Sequence, residues 1–134
     1  MTKILTFKKR KDFLRVAQGS YVATRNMVLQ AAPSLSKTDN IMVGYTATKK
    51  IGNAVIRNRS KRRLRAVVRE VLIKYAFEGI DYVFIARNST AECDYKELKQ
   101  DTIYALKRIN KNFLPQNETQ SVIESHDIAD DKNV

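Results

Sequence analysis

The sequence contains a single cysteine, Cys93, and a single histidine, His126. One cysteine forms no intramolecular disulfide, and the two residues are too few for a Cys/His zinc site. A Cys–His nucleophilic pair would have to recruit the histidine from the C-terminal tail, a remote arrangement. No apolar run approaches the roughly 20 residues of a membrane span. The short apolar segment near the N-terminus precedes a basic run and no signal-peptide cleavage pattern. The expectation is a soluble, cytoplasmic protein with no membrane partner. There is no Walker loop, no GxGxxG and no HExxH. Carboxylates are scattered, whereas two-metal nucleases need several converging on cations. Asp81 meeting Asp94 or Glu97 is conceivable and remote. No catalytic residue and no metal ligand is therefore assigned.

Acid is missing most conspicuously from residues 40–69, which contain no Asp or Glu. Within them, residues 49–69 read KKIGNAVIRNRSKRRLRAVVR and hold nine Lys or Arg. Positive charge packed this densely points to a polyanion, and nucleic acid is the densest common one. Gly52-Asn53 is a turn or helix-start signal, with Asn53 a good N-cap. Beyond it the spacing turns helical. Ile56, Ser60, Leu64, Val67, Val68, Val71 and Tyr75 share one face. Asn58, Lys61, Arg62, Arg65 and Arg69 lie opposite, with Arg59 and Arg63 near one rim. Cations at a helix start oppose its dipole. That cost argues for a partner, against the plainer reading of a solvated basic face.

The formal net charge is +11, and it is uneven. Residues 1–117 carry 24 Lys and Arg against nine Asp and Glu, a net of +15, while residues 118–134 carry one Lys and five acids, a net of −4. The division expected is one RNA-binding domain over residues 1–115 and an acidic, disordered tail over residues 116–134. Along the chain, residues 1–8 read as extended and residues 9–17 as a short helix with Phe13, Val16 and Ala17 on one face. Residues 20–32 read as a strand, kinked near Thr24-Arg25-Asn26. Residues 41–47 alternate as a second strand, expected to pair antiparallel with the first. Residues 81–87, DYVFIAR, read as a buried strand. Ser89-Thr90 or Asp94 caps a last helix to about residue 112. The order predicts an α+β fold: a two-layer α/β sandwich with about four strands, mostly antiparallel, and three helices on one face. The strand–helix–strand unit over residues 41–87 makes its flanking strands candidates for a parallel pair.

The stretch KKIGNAVIRNRSKRRLR, with its Arg57-Asn58-Arg59 triplet, resembles the signature of the protein subunit of bacterial ribonuclease P. Asp12-Phe13, Val43-Gly44 and Ala86-Arg87 stand in matching order around it, and the resemblance spans about residues 5–113. It implies a partner, ribonuclease P RNA, that carries the active site and its Mg2+. The holoenzyme is an endoribonuclease that removes the 5′ leader from precursor tRNA, with no further protein partner required. The protein would bind the leader and favour catalytic magnesium binding. Matched residue by residue, Arg57, Asn58, Arg59, Lys61, Arg62 and Arg65 would bind the RNA subunit. Phe13, Val28, Gln30, Lys50 and Arg87 would bind the leader. The resemblance also implies a left-handed strand–helix–strand crossover, against the usual right-handed rule. Three positions depart from the family. Ala17 stands where a second aromatic is frequent, Gln30 where some members have tyrosine, and Asn88 where a lysine is common. The alternative is a non-catalytic RNA-binding module such as a ribosomal protein, which shares the charge but leaves the Phe13 and Arg87 matches unexplained.

Overall fold

The structure is a computed structural model, and it describes residues 3–35 and 39–114. The tail expected over residues 116–134 lies outside the described residues, as does His126. In chain order the elements are β1 (Ile4–Thr6), α1 (Arg10–Ala17), β2 (Ser20–Ala23), β3 (Met27–Pro33) and β4 (Ile41–Thr46). A single 3-10 turn at Lys49–Ile51 then leads into α2 (Ala54–Tyr75), β5 (Ile80–Ala86) and α3 (Tyr95–Asn110), and a second turn, Lys111–Phe113, follows.

The helices form where the sequence predicts. Asn53 caps α2, its side chain accepting from the Ile56 amide at 3.0 Å. Ser60, Leu64, Val67, Val68 and Val71 are buried as expected, and Leu72 joins them. Ile56 and Tyr75, at the two ends of that stripe, are half-buried. Asp94 caps α3, accepting from the Lys96 amide at 2.9 Å. The kink near Thr24 is a hairpin turn, and it divides the expected single strand into the antiparallel pair β2 and β3.

The fold is α+β, as expected, but the sheet has five strands in the order β1-β4-β5-β3-β2, and it is mixed rather than mostly antiparallel. β1 and β5 both run parallel to β4, while β3 is antiparallel to β5 and to β2. β3 and β4 do not pair as expected, because β5 lies between them. The physical reason is composition. Six of the seven β5 residues are buried. A strand this apolar is stable where neighbours and both sheet faces are covered. α2 carries the chain back so that β5 can take that place beside β4.

Alternation along β5 builds two cores. Ile80, Tyr82, Phe84 and Ala86 pack with Leu64, Val67 and Val68 of α2 and with Leu98, Leu106 and Ile109 of α3. Val83 and Ile85 face the other way, into a smaller cluster with Phe7, Val16, Ala32, Phe13 and Met42. α1 therefore lies on the sheet face opposite α2 and α3, not on one common face with them. Phe13 meets the Phe7 ring edge-on, with centroids 4.9 Å apart and planes at 70°. Both rings press on Gly44 of β4. A Cβ there would stand 2.7 Å from each ring.

In the larger core the Tyr82 hydroxyl donates to Asn110 Oδ1 at 2.6 Å and accepts from the Phe77 amide at 2.9 Å. Asn110 Nδ2 donates in turn to Tyr75 O at 2.6 Å. This satisfied network joins the C-terminal ends of α2 and α3 to the central strand. Burial is the main cause that pushes the Tyr82 phenol up, to about 12.

Two predictions follow from this packing. Gly44→Ala forces both rings to move, and overpacking of this kind costs about 1–3 kcal/mol. Urea unfolding measures it, and a wild-type midpoint would show that the rings do not seal this position. Tyr82→Phe strips a partner from the half-buried Phe77 amide and from the buried Asn110 side chain, at a cost of about 1–3 kcal/mol. Because the folded-state pKa is raised from 10.0 to about 12, the Tyr82 contribution is complete below pH 10 and lost as pH rises through 12. Stability of Tyr82→Phe should fall less steeply than wild type across that window. Parallel curves would remove Tyr82 as the titrating group.

Candidate nucleic-acid interface

The path from β4 into α2 is set by Gly52. Its φ of +147° and ψ of −166° belong to a region open essentially to glycine alone. The turn that carries Lys49 and Lys50 thus ends abruptly, and Asn53 starts the helix at once. The first turns of α2 then hold Arg57, Asn58, Arg59, Lys61, Arg62, Arg63 and Arg65 with no acid among them.

These side chains divide between two flanks of the helix. Arg65 lies over the Tyr45 ring of β4, with 5.4 Å between its guanidinium carbon and the ring centroid. At about 100° per residue, Arg57, Asn58, Lys61 and Arg62 lie on that side or project outward. Asn58, Arg62 and Arg65 are exposed, while Arg57 and Lys61 are half-buried. Arg59 and Arg63 take the opposite flank, toward the loop between β5 and α3. Arg59 Nε donates to Ala91 O at 2.9 Å. Arg63 is committed more fully, with Nη1 donating to Thr90 O and Nη2 to Cys93 O. Of the triplet, Arg59 therefore has a structural bond within the fold while its residue stays exposed.

The loop these arginines grip is also tied to the β2–β3 turn. Asn26 is buried, and its polar atoms are all engaged. Its amide donates to Asp101 Oδ2 at 3.2 Å, and Nδ2 donates to Glu97 Oε1 and Asp101 Oδ2, each at 3.0 Å. Its Oδ1 accepts from Ser89 Oγ at 2.7 Å, and its carbonyl accepts from Thr90 Oγ1. Arg87, exposed just beyond β5, donates from Nη1 to Thr24 O at 2.9 Å. Sequence reasoning missed Asn26 and Arg63 as organisers. Ser89-Thr90, read there as a helix cap, joins this hub instead. Its signal was a run of small polar residues with no hydrophobic period.

Strand direction gathers the basic groups. β4 and β5 are parallel and β3 is antiparallel to β5. The ends of β4 and β5 and the start of β3 therefore share one end of the sheet. Lys50, Arg87, Arg25 and the first turns of α2 all belong to that end.

Phe13 projects from α1 onto the other face, and Val28 and Gln30 belong to that face. Val28 pairs with Ile85, and Gln30 with Val83. Val83 and Ile85 both sit in the α1-side cluster. Phe13 is half-buried, held between Phe7 and Gly44, so it packs the fold and still keeps part of its ring at the surface. α1 is anchored toward the opposite end of the sheet. There Arg15 Nη2 bonds and ion-pairs with Asp81, and Arg15 Nη1 donates to Pro33 O at 3.0 Å. The row Ala23–Val28–Ile85–Thr46, at the basic end, is half-buried or exposed. The two residue sets thus occupy opposite faces and meet at one edge.

The described carboxylates do not gather into a cation site. Asp81 pairs with Arg15 on the α1 face, Asp94 caps α3, and Glu97 and Asp101 bind Asn26. Among the described residues no three His, Cys, Asp or Glu are grouped to hold a metal ion. Burial, the largest influence, pushes the Cys93 thiol up, away from the thiolate a nucleophile needs. Among the described residues no helix is long and apolar enough to cross a membrane.

This geometry has known relatives. The sequence matches the Ribonuclease P family over residues 1–110. It is 47% identical over 106 residues to the ribonuclease P protein component of Paramagnetospirillum magneticum, covering 76% of this chain and 80% of that protein. The corresponding protein of Caulobacter vibrioides is 41% identical over 104 residues, with 78% and 70% covered. Among solved structures, the RNase P protein from Thermotoga maritima superposes with a TM-score of 0.67 at 25% identity, over 78% of this chain and 96% of that one. The Staphylococcus aureus RNase P protein gives 0.64 at 29% identity, over 77% and 93%. By family match, sequence identity and fold together, this chain belongs to the ribonuclease P protein component family.

Proposed function

We propose that this chain assists a catalytic RNA in the endonucleolytic removal of the 5′ leader from precursor tRNA. The observation that carries this reading is the shared edge. The basic turns of α2, Lys50 and Arg87 lie at the end of the sheet where the α1-side row Ala23–Val28–Ile85–Thr46 is left partly open, with half-buried Phe13 and Gln30 at its margin. One RNA can lie against the helix while a single strand continues across the sheet. Arg57, Asn58, Arg59, Lys61, Arg62 and Arg65 then face the RNA subunit, with exposed Arg62 and Arg65 making phosphate contacts through their planar forks. Phe13, Val28, Gln30, Lys50 and Arg87 receive the leader. Ala17 and Gln30 reduce stacking in the cleft and leave more of the grip to polar and ionic contacts.

Mg2+ would belong to the RNA, where it supplies Lewis-acid and nucleophile-generating chemistry. The described carboxylates of this chain do not fit it as a site. The chain's own contribution is positive potential, which concentrates phosphate and lowers the repulsion that resists RNA folding beside RNA. The domain responsible is residues 1–115, acting in the cytoplasm without a second protein.

Labelled precursor tRNA tests the reading, incubated at low magnesium with protein alone, with cognate RNA alone, and with both. Cleavage should be fast only with both. Binding without any gain in cleavage would leave a plain RNA-binding module, and cleavage by protein alone would overturn the assignment of roles. The flanks of α2 make a finer prediction. Arg57→Ala and Arg65→Ala should each reduce the salt slope of RNA-subunit binding by about one. Arg63→Ala should keep the slope and instead cost about 1–3 kcal/mol of stability, since two carbonyls lose their donor. An Arg63→Ala protein with wild-type stability and a flattened slope would reverse the division between the flanks.

A further inference from the structure

We propose that Tyr21 is a stacking platform for an unpaired base of bound RNA at the outer strand of the open face. The inference rests on the leader-binding reading above and assigns a contact to a residue that reading does not use. Tyr21 is 70% exposed, although it lies inside a strand. Its neighbour Val22 packs into the α2–α3 core. Alternation therefore turns Tyr21 and Ala23 to the α1 side.

The register fixes what stands beside it. Tyr21 pairs directly with Gln30, and Gln30 with Val83; Ala23 pairs with Val28, and Val28 with Ile85. Tyr21 is thus the aromatic rim of the surface that contains Val28 and Gln30. On α1, Arg15 is turned to the Asp81 end of the sheet. At about 100° per residue, Arg10 and Ala17 lie across the helix from it, toward the open half, while Leu14 points away from the sheet, opposite buried Val16. Leu14 is 52% exposed. The flank that α1 turns to the open half carries no aromatic at Ala17. An aromatic for a base on this side comes from β2 instead.

Charge selects the occupant. The hairpin that follows β2 carries Arg25, exposed and 4.0 Å from Glu97 of α3, and Arg87 is bonded to the same turn. A flat ring with cations a few residues away suits single-stranded nucleic acid, whose bases stack while its phosphates are neutralised. Gln30 beside the ring offers an amide that both donates and accepts, which fits the edge of a stacked base. A protein partner would call for a broad apolar patch. This surface interleaves Gln30 and Thr46 with its apolar residues.

The test measures precursor-tRNA affinity of the reconstituted holoenzyme with two substrates, one with a leader of several nucleotides and one with a single-nucleotide leader. Wild type should bind the longer leader more tightly. Tyr21→Ala and Tyr21→Leu should weaken long-leader binding roughly five-fold or more and leave the short-leader substrate unchanged. Tyr21→Phe should behave as wild type, since the ring does the stacking. If wild type gains nothing from the longer leader, the leader-binding reading itself fails, whatever Tyr21 does. If wild type discriminates and both Ala and Leu variants match it, the platform is not Tyr21. Equal weakening toward both substrates in the Leu variant would also overturn the proposal, because it would mark a general effect on folding or docking.

Discussion

β5 lies between a parallel neighbour, β4, and an antiparallel one, β3, with six of its seven residues buried. The rest of the structure depends on that placement. A strand covered on both faces needs apolar partners above and below, so α2 and α3 fill one side and α1 the other. Because β4 and β5 run the same way, α2 must carry the chain back the full length of the sheet. Its N-terminus is thereby fixed at the end where both strands finish. The basic residues follow from this, since the chain presents Lys49, Lys50 and the first turns of α2 in immediate succession there. α1, held by Arg15 to the Asp81 end of the same strand, leaves the basic end of its own face uncovered.

The arginines of α2 show how one residue type does two kinds of work. A guanidinium at a helix start is opposed by the helix dipole. Arg59 and Arg63 offset that cost by donating to backbone carbonyls of the loop before α3. Five donors in a fixed fork suit that task better than a lysine could. Among the described residues Arg62 and Arg65 have no such carbonyl partner, and they remain exposed, with Arg65 resting on the Tyr45 ring. Removing an inward arginine would disturb the loop that carries Arg87. Removing an outward one takes away positive charge and leaves that loop in place.

Local features were readable in the sequence because their signals are local. The Asn53 cap, the Gly52 turn and the buried stripe of α2 rest on neighbours within a few residues. The sheet order was not readable. Pairing is decided between segments far apart in sequence, and the run of residues 41–47 looks equally ready to pair with residues 20–32 or with residues 81–87. The apolar continuity of β5 was the clue that it would take the centre. Its consequence, the separation of β3 from β4, needs the whole sheet at once. The face taken by α1 was hidden for a similar reason, since its short apolar stripe is the same whichever side it covers. Asn26 was hidden because a buried polar hub is defined by partners from the β5–α3 loop and from α3.

These two kinds of information meet at the candidate site. The basic helix is a local feature, and it alone points only to a polyanion. The open face is a long-range feature, built from β2, β3, β4, β5 and one wall of α1. Its meaning depends on the edge it shares with the helix. An RNA duplex or fold engages charge and shape, which a helix flank can meet. A single strand needs a surface with rings and amides, which an exposed sheet face can meet. A chain that only docked against one folded RNA would have no use for the second surface. That the two surfaces adjoin at Lys50 and Arg87 is what favours a protein that holds a folded RNA and an extended strand together.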